Sequence, residues 1–231
     1  ANITNNIGNN NAAYILYEDR ADDKQFTANT ILSTEFNENI TINASLNYKK
    51  LKSENFAEIT DMLGSVTGYL NTDSFDGYQY NMQNPDFVAN EGDKFRYNYV
   101  IDANVVGGFV NALFKYNKVD FYLAGNYTSS QYQREGLYQH EAYENNSFGK
   151  GEKIKFNGYG AKGGFTYKIT GKHLIDFNGA YISKAPTIRN TFSNSRENHD
   201  IVGVNNGVSI NGNGISEEKI TSADASYIFR S

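Results

Sequence analysis

The sequence contains no cysteine and no tryptophan, and only 2 of its 231 residues are proline. The absence of cysteine excludes disulfide-stapled scaffolds, thiolate zinc sites and cysteine nucleophiles. Basic residues are also few: 21 Lys and Arg stand against 26 Asp and Glu, so the formal net charge is −5. A general nucleic-acid binder needs a basic surplus to neutralise phosphates, and we therefore expect no nucleic-acid partner. No apolar run approaches the roughly 18 residues that a membrane helix needs.

Aromatic residues are abundant instead, with 18 Tyr and 15 Phe in the chain. Together with the β-branched residues they are too many to remain solvated, which argues against disorder. The length fits one large domain better than two small ones, and we treat residues 1–231 as one domain. A soluble β-protein and a membrane β-barrel both agree with this composition.

Alternation of apolar and polar residues is the dominant pattern along the chain. In residues 40–49, Ile, Ile, Ala, Leu and Tyr alternate with Thr, Asn, Ser, Asn and Lys. Period two is typical of strands with two different faces, and no comparable stretch has helical spacing. The pattern predicts seven strands, centred on residues 25–36, 40–49, 95–116, 119–128, 158–169, 174–181 and 222–230.

Segment 95–116 is too long for an ordinary strand, and its apolar residues change parity midway. They are odd-numbered up to Val105 and even-numbered from Val110 onwards. A β-bulge at Gly107-Gly108 would return every apolar side chain to one face, and we predict a bulge at that position.

The connections between the predicted strands alternate strictly in length. In chain order they are Asn37–Asn39, 50–94, Asn117-Lys118, 134–152, Gly171-Lys172 and 188–217. Tight turns at one end and long loops at the other are the layout of an outer-membrane barrel, with the turns in the periplasm and the loops outside. A β-sandwich also alternates in hydrophobicity, but its connections need not sort by length. We therefore predict an all-β fold of antiparallel transmembrane β-barrel strands, with a soluble polar-coated sheet as the alternative.

The predicted number of strands indicates whether residues 1–231 could form a whole barrel. Closed bacterial barrels have an even number of strands, whereas the pattern predicts seven. We expect the chain to be part of a larger barrel whose plug domain and remaining strands lie outside residues 1–231.

Two segments resemble TonB-dependent outer-membrane receptors. Residues 181–192 read Tyr-Ile-Ser-Lys-Ala-Pro-Thr-Ile-Arg-Asn-Thr-Phe, which is similar to the family's strand-to-loop segment, an aromatic residue followed by (R/K)-A-P-(S/T)-(L/I)-R. Residues 217–227 follow in the right order and resemble the family's next strand, x-E-K-x-x-S-x-(E/D)-x-(G/S)-Y. The Gly-rich hairpin 159–181 also resembles the family, and residues 132–138 followed by 146–150 resemble receptors from Bacteroidota-type bacteria.

The resemblance implies non-enzymatic active transport of a scarce nutrient across the outer membrane of a Gram-negative bacterium. Siderophores, haem, cobalamin and glycans all stay open as ligands. The implied partners are outer-membrane lipid, the TonB complex acting through an N-terminal plug, a small-molecule or glycan ligand, and a surface lipoprotein. The alternatives are another outer-membrane barrel, such as an adhesin or porin, and a soluble secreted glycan-binding β-sandwich.

Patterns typical of catalysis or metal binding are weak. The three histidines are scattered, and the chain has no His-Glu-x-x-His motif, Gly-x-Ser-x-Gly elbow or phosphate loop. His140, Glu141 and Glu144 lie in a polar segment, which we interpret as a solvated loop. The Asp and Asn residues of 73–86 lack EF-hand spacing, and a turn-rich loop is the simpler interpretation. We therefore expect no enzyme activity, no metal and no cofactor.

Aromatic and arginine side chains in the long loops are the candidate ligand contacts, because these types dominate binding hot spots when desolvated. The candidates are Tyr78, Tyr80, Arg134, Tyr138 and Arg189. The tyrosines have a structural alternative, packing against neighbouring loops. Arg189 lies in the family-like segment, and its structural alternative is an ion pair with a neighbouring strand.

Overall fold

The computed structural model describes residues 11–205, 208–209 and 214–230. Its strands are β1 (Leu16–Asn37), β2 (Ile40–Asp61), β3 (Tyr69–Leu70), β4 (Val88–Ala89), β5 (Lys94–Lys115), β6 (Val119–Gly136), β7 (Gly149–Lys150), β8 (Ile154–Lys168), β9 (His173–Lys184), β10 (Val204–Asn205), β11 (Val208–Ser209) and β12 (Glu218–Phe229). Its helical turns are a 3₁₀ turn (Glu141–Tyr143) and α1 (Ile188–Thr191).

Seven long strands form the main sheet in the order β1-β2-β5-β6-β8-β9-β12, and each pairs antiparallel with its neighbours. Strand β7 adds to β6 as a short eighth member, while β3-β4 and β10-β11 form two small hairpins. The prediction of seven antiparallel strands is confirmed. Strands β1 and β12 are the two edges, and they do not pair with each other in the part of the chain that the structure describes. None of the helical turns in these residues is long and apolar enough to cross a membrane.

The strands reach further towards the long loops than the sequence predicted. Strand β2 continues to Asp61 and β6 to Gly136, so two of the long connections begin at residues 62 and 137. The long connections are 62–93, 137–153 and 185–217, which we call the cap; residues 206–207 and 210–213 of the last one lie outside the described residues. The predicted alternation of short and long connections is confirmed with these bounds. We call the cap side of the sheet the loop end and the opposite side the turn end.

No bulge occurs at Gly107-Gly108. Both residues are paired in continuous register with β2 and with β6. The irregularity in the β2-β5 pairing lies instead at Phe56/Ala57, beside Arg96, whose φ is 61°. The predicted bulge is therefore wrong, and the parity change in β5 has another cause.

That cause is an exchange of polarity between the two faces of the sheet. On one face, the turn-end half is apolar and the loop-end half is polar; we call it the banded face. On the opposite face, which we call the covered face, the order is reversed. Apolar residues therefore switch from odd to even positions along a regular strand, without any extra residue.

The banded face carries an apolar band bounded by two rows of aromatic residues. The turn-end row includes the cross-strand neighbours Phe114, Phe121, Phe165 and Phe177. The loop-end row consists of Phe26, Tyr48, Tyr127, Tyr159 and Tyr181. Between the rows, Leu32, Leu46 and Leu123 are 59%, 67% and 61% exposed. Large apolar side chains of this band therefore have no protein layer over them in the described residues.

The covered face is polar at the turn end. Lys168 Nζ lies 2.7 Å from an Asp120 carboxylate oxygen, and Thr166 donates a hydrogen bond to Asp176 at 2.6 Å. Tyr122 donates to the Asn178 side-chain oxygen at 3.2 Å. These groups form a hydrophilic lining on that half of the face.

At the loop end, the cap packs onto the covered face and buries two apolar clusters. The first contains Ala57, Ile59, Phe95, Tyr97, Tyr99, Ile101 and the cap residues Met62, Ala89 and Phe192. The second contains Ala103, Tyr132 and Phe156, against which Ala185 and Ile188 pack. The apolar odd-numbered half of β5 is thus the floor of a loop-covered core.

Candidate functional site

The family-like segment places a short helix over the covered face. Pro186 lacks an N–H for strand pairing, so β9 cannot continue through it. Its carbonyl accepts a hydrogen bond from the Tyr132 hydroxyl at 3.3 Å. The Thr187 side chain then caps α1 by accepting from the Asn190 N–H at 3.3 Å, a role that Thr favours. The sequence therefore ends β9 and turns the chain back over the sheet.

A cavity of about 330 Å³ lies between α1 and strands β2 and β5. Its apolar walls include Leu51, Ile101, Ile188 and Phe192. Its polar groups are Ser53, Asn55, Tyr99, Arg189 and Ser195. The volume lies at the lower end of the range typical of small-molecule sites, which combine apolar walls with a few convergent polar groups.

The polar groups of the cavity are partly organised by one another. The Ser195 hydroxyl donates to the Tyr99 hydroxyl oxygen at 3.1 Å, and the Asn55 amide donates to the Ser53 hydroxyl at 3.1 Å. Arg189 makes no ion pair with any residue that the structure describes. The lining contains no carboxylate. This electrostatic arrangement favours a ligand with an anionic or hydrogen-bond-accepting group near Arg189.

Three of the other predicted ligand contacts are engaged in cap packing: Tyr80 and Tyr138 belong to the cap, and Arg134 lies at the loop end of β6 beneath it. Arg134 is 1% exposed. The Tyr80 hydroxyl donates to an Asp73 carboxylate oxygen at 2.9 Å, and the Tyr138 hydroxyl donates to the Lys94 carbonyl at 2.8 Å. Burial raises the pKa of Tyr138 to about 12, so its phenol stays protonated as the donor. The side chains of these residues contribute to the packing of the loops.

Tyr78 and Arg189 are more accessible. Tyr78 is 42% exposed, and its ring centroid lies 6.4 Å from that of His140. Arg189 is exposed at the rim of the cavity, which Tyr78 does not line. The two residues belong to different loops, and ligand contact at either of them stays a prediction.

Arg134 joins the second and third long connections. Its Nε donates to the Ser195 carbonyl at 2.6 Å, and its Nη1 donates to the Ser147 carbonyl at 2.9 Å. The same Nη1 lies 2.9 Å from His199 Nδ1, and the guanidinium carbon lies 5.1 Å from the Tyr99 ring centroid. Sequence reasoning missed this role. The signal was present in the parity of β6, since Arg134 follows the buried Tyr132 on the same face.

The candidate metal-binding segments are engaged in loop hydrogen bonds. His140 Nδ1 accepts from the Ala142 N–H at 3.1 Å, and Glu141 accepts from the Gln79 N–H at 2.7 Å. Asp73 accepts from two backbone N–H groups of its own turn. Among the described residues, no three His, Asp or Glu side chains converge in a way that could hold a metal ion.

The packing around His199 predicts that the cap loosens as the pH falls. Burial, together with the neighbouring Arg134 guanidinium, holds the pKa of the imidazole below its usual 6.5. A proton therefore binds more tightly to the open loop than to the packed one. Packing stability should be complete above pH 7 and decrease as the pH falls from about 6.5 through the lower pKa of the packed state. Hydrogen exchange at the His199 amide, corrected for the intrinsic rate, measures this opening.

The matched variant for this test is His199→Gln, which has no titration in the same range. Its pH dependence should be weaker but not zero, because burial also lowers the pKa of His140. An unchanged slope in the variant would assign the effect to other groups.

No family model, curated protein or solved structure matches the chain. Functional inference therefore depends on the geometry above and on segments 181–192 and 217–227. The two segments meet in the fold, because Lys184 and Glu218 are cross-strand neighbours in β9 and β12. Their side chains form an ion pair at 3.2 Å. Lys184, which precedes Ala-Pro in the first segment, and Glu218, which precedes Lys in the second, thus link the two segments by an ion pair.

Proposed function

We propose that the chain is part of the transmembrane β-barrel of an outer-membrane, TonB-dependent type of receptor that takes up a scarce nutrient. The observation that carries the proposal is the exchange of polarity between the two faces of the sheet. A sheet that crosses a membrane meets lipid on one face and water on the other. Above the membrane, the outward face meets water, and the inward face can be covered by loops.

The height of the apolar band supports membrane insertion. On β8 the band extends over residues 159–167, from the loop-end Tyr159 to Tyr167 beyond Phe165. The eight steps between these nine residues, at about 3.4 Å each, span about 27 Å along the strand, and transmembrane strands cross the hydrocarbon with about 9–11 tilted residues. The two aromatic rows correspond to the girdles that flank such a band at both interfaces.

The cap favours a receptor over an open porin. Polar groups such as Asp120, Asp176 and Lys168 on the turn-end half of the covered face suit a wet lumen. The long connections fold over the loop end of that face, and the third of them encloses the cavity beside Arg189 against β2 and β5. A capture site among loops, above a hydrophilic passage, is the arrangement expected of a receptor. An adhesin or porin barrel is the second candidate.

A soluble β-sandwich is less consistent with the banded face. A sandwich buries its apolar face under a second sheet about 10 Å away. In the described residues no second layer covers Leu46 or Leu123. Burial of apolar surface stabilises a protein by about 25 cal/mol for each Å² removed from water. In a soluble protein, the exposed side chains of the banded face would lose this stabilisation.

The cavity suggests what part of a ligand is recognised. Arg189 and the hydroxyl and amide groups around it suit a carboxylate, phosphate or phenolate set against an apolar surface. Siderophores, haem, cobalamin and glycans all stay open. Energy coupling through TonB and a plug is inferred from the resemblance of segments 181–192 and 217–227.

Single-cysteine labelling in intact cells tests the proposed topology, because the chain has no native cysteine. In the full-length protein, Val66→Cys and Phe75→Cys should react with a membrane-impermeant maleimide, since these side chains are 89% and 96% exposed in the cap. Lys118→Cys and Lys172→Cys, in the turns, should react only after the outer membrane is permeabilised. Reversed labelling would invert the topology, and recovery of all four variants in a soluble secreted fraction would exclude membrane insertion.

A further inference from the structure

Three lysines are concentrated on the banded face, immediately beyond its loop-end aromatic row. Lys24 and Lys52 are direct cross-strand partners in β1 and β2, and Lys50 lies two residues along β2 on the same face. Like charges directly opposite each other destabilise a sheet. All three side chains are exposed, and none makes an ion pair with a residue that the structure describes. The cluster is therefore an uncompensated positive patch.

The acidic neighbours of the patch do not neutralise it. Asp22 and Glu54, in the next row towards the loop end, are already paired with Arg20 and Lys94. Asp102 lies across from Lys52 in β5 without forming an ion pair with it in the described residues. Three ammonium groups thus face one unpaired carboxylate, and an external anion would complete the charge balance.

A groove lies on the same face, nearer the turn end, two rows of the sheet from Lys50 and three rows from the Lys24–Lys52 pair. It has a volume of about 620 Å³, and its lining includes Leu32, Leu46, Gly108, Val110, Gly125 and Tyr127. The groove opens because Gly108 and Gly125 remove two side chains from adjacent strands. Leu46 is four residues from Lys50, which corresponds to about 14 Å along the strand.

We propose that the groove and the three lysines form a binding site for a phosphorylated, acylated membrane lipid. An acyl chain lies in the groove, and the phosphate is bound by Lys24, Lys50 and Lys52. This inference depends on the proposed function, since it requires the banded face to be embedded in a membrane. Charge and geometry argue for a lipid rather than another ligand, because only an amphiphile satisfies an apolar groove and a cationic patch at the height of an aromatic row.

The test measures lipid retention by the full-length protein in nanodiscs of phosphatidylcholine doped with diphosphoryl lipid A. Native mass spectrometry of the released protein should show bound diphosphoryl lipid A in the unaltered protein. The triple variant Lys24→Gln, Lys50→Gln, Lys52→Gln should retain at least about tenfold less. The charge-matched control Lys115→Gln, Lys118→Gln, Lys172→Gln removes three lysines at the turn end and should retain lipid normally. Equal retention by the two triple variants would overturn the proposal.

A second variant tests the groove itself. Gly125→Leu should fill it without a backbone clash, because a Cβ at this position has its nearest neighbour, the Gly160 carbonyl oxygen, at 3.8 Å. Lipid retention should fall several-fold while the far-ultraviolet circular dichroism spectrum stays unchanged. Retention that is unaffected by Gly125→Leu would overturn the acyl-chain part of the proposal. Complete displacement of the lipid by millimolar inorganic phosphate would also overturn the acyl-chain part, because the phosphate alone would then account for binding.

The failure of this inference is distinguishable from that of the proposed function. A protein that passes the cysteine-labelling test but retains lipid equally with and without its three lysines is membrane-embedded and lacks this site. Failure of the labelling test would remove the basis of both the proposed function and the lipid site. A second copy of the chain on the groove, seen as a dimer whose mass lacks lipid, would also overturn the lipid assignment.

Discussion

Leu123→Arg should prevent assembly of the protein in the outer membrane. Leu123 lies between the two aromatic rows of the banded face, two residues from Phe121 and four from Tyr127 along β6, and is 61% exposed. An arginine at the bilayer midplane of a transmembrane barrel costs about 2–4 kcal/mol, and less towards the interfaces. The measurement is heat-modifiable mobility and surface abundance of the full-length protein, together with urea unfolding in lipid vesicles.

The same substitution on the opposite face is the control. Leu113 lies on the covered face of the adjacent strand, where its cross-strand partner is Tyr122 and its surroundings include Asp120 and Asp176. Leu113→Arg places the new charge near carboxylates on the face that we propose lines the lumen, so assembly should be nearly normal. Equal defects in the two variants would mean that the faces do not separate lipid from water.

Arg134→Gln should open the cap without disrupting the sheet. The substitution leaves the carbonyls of Ser147 and Ser195 without their charged donor. Hydrogen bonds to charged groups contribute about 1.5–3 kcal/mol each, so we expect a loss of about 3–6 kcal/mol in the free energy of cap opening. Hydrogen exchange should accelerate at the Gly151 and His199 amides, which bond to the Arg134 and Asn146 carbonyls.

Arg196→Gln is the matched control for Arg134→Gln. Arg196 pairs with Asp19 at 2.7 Å on the surface, where its side chain is 46% exposed. Exposed ion pairs contribute about 0–1 kcal/mol, so exchange in the cap should change little. Exchange that accelerates equally in both variants, or equally in the sheet and the cap, would contradict the role of Arg134 as the link between two loops.

Part of the candidate site was predictable from the sequence because it depends on local chemistry. The Pro186-Thr187 pair ends a strand and caps a helix by the properties of those two residues alone. The role of Arg134 was not predictable in this way. Its partner Ser195 is 61 residues away in sequence, and nothing local shows that a loop will return to cover it.

The sequence by itself determined the number of long strands, their antiparallel order and the alternation of turns and loops. These features follow from period-two alternation and from turn-forming residues, both of which act over a few residues. The tertiary structure decided the surroundings of each face. It showed which half of each strand is covered by the cap and which half is left uncovered. The parity change in β5 was consistent with a bulge until the cap was seen to bury the odd-numbered Tyr99 and Ile101. Burial is a property of what packs against a residue, and here that packing comes from loops distant in the chain.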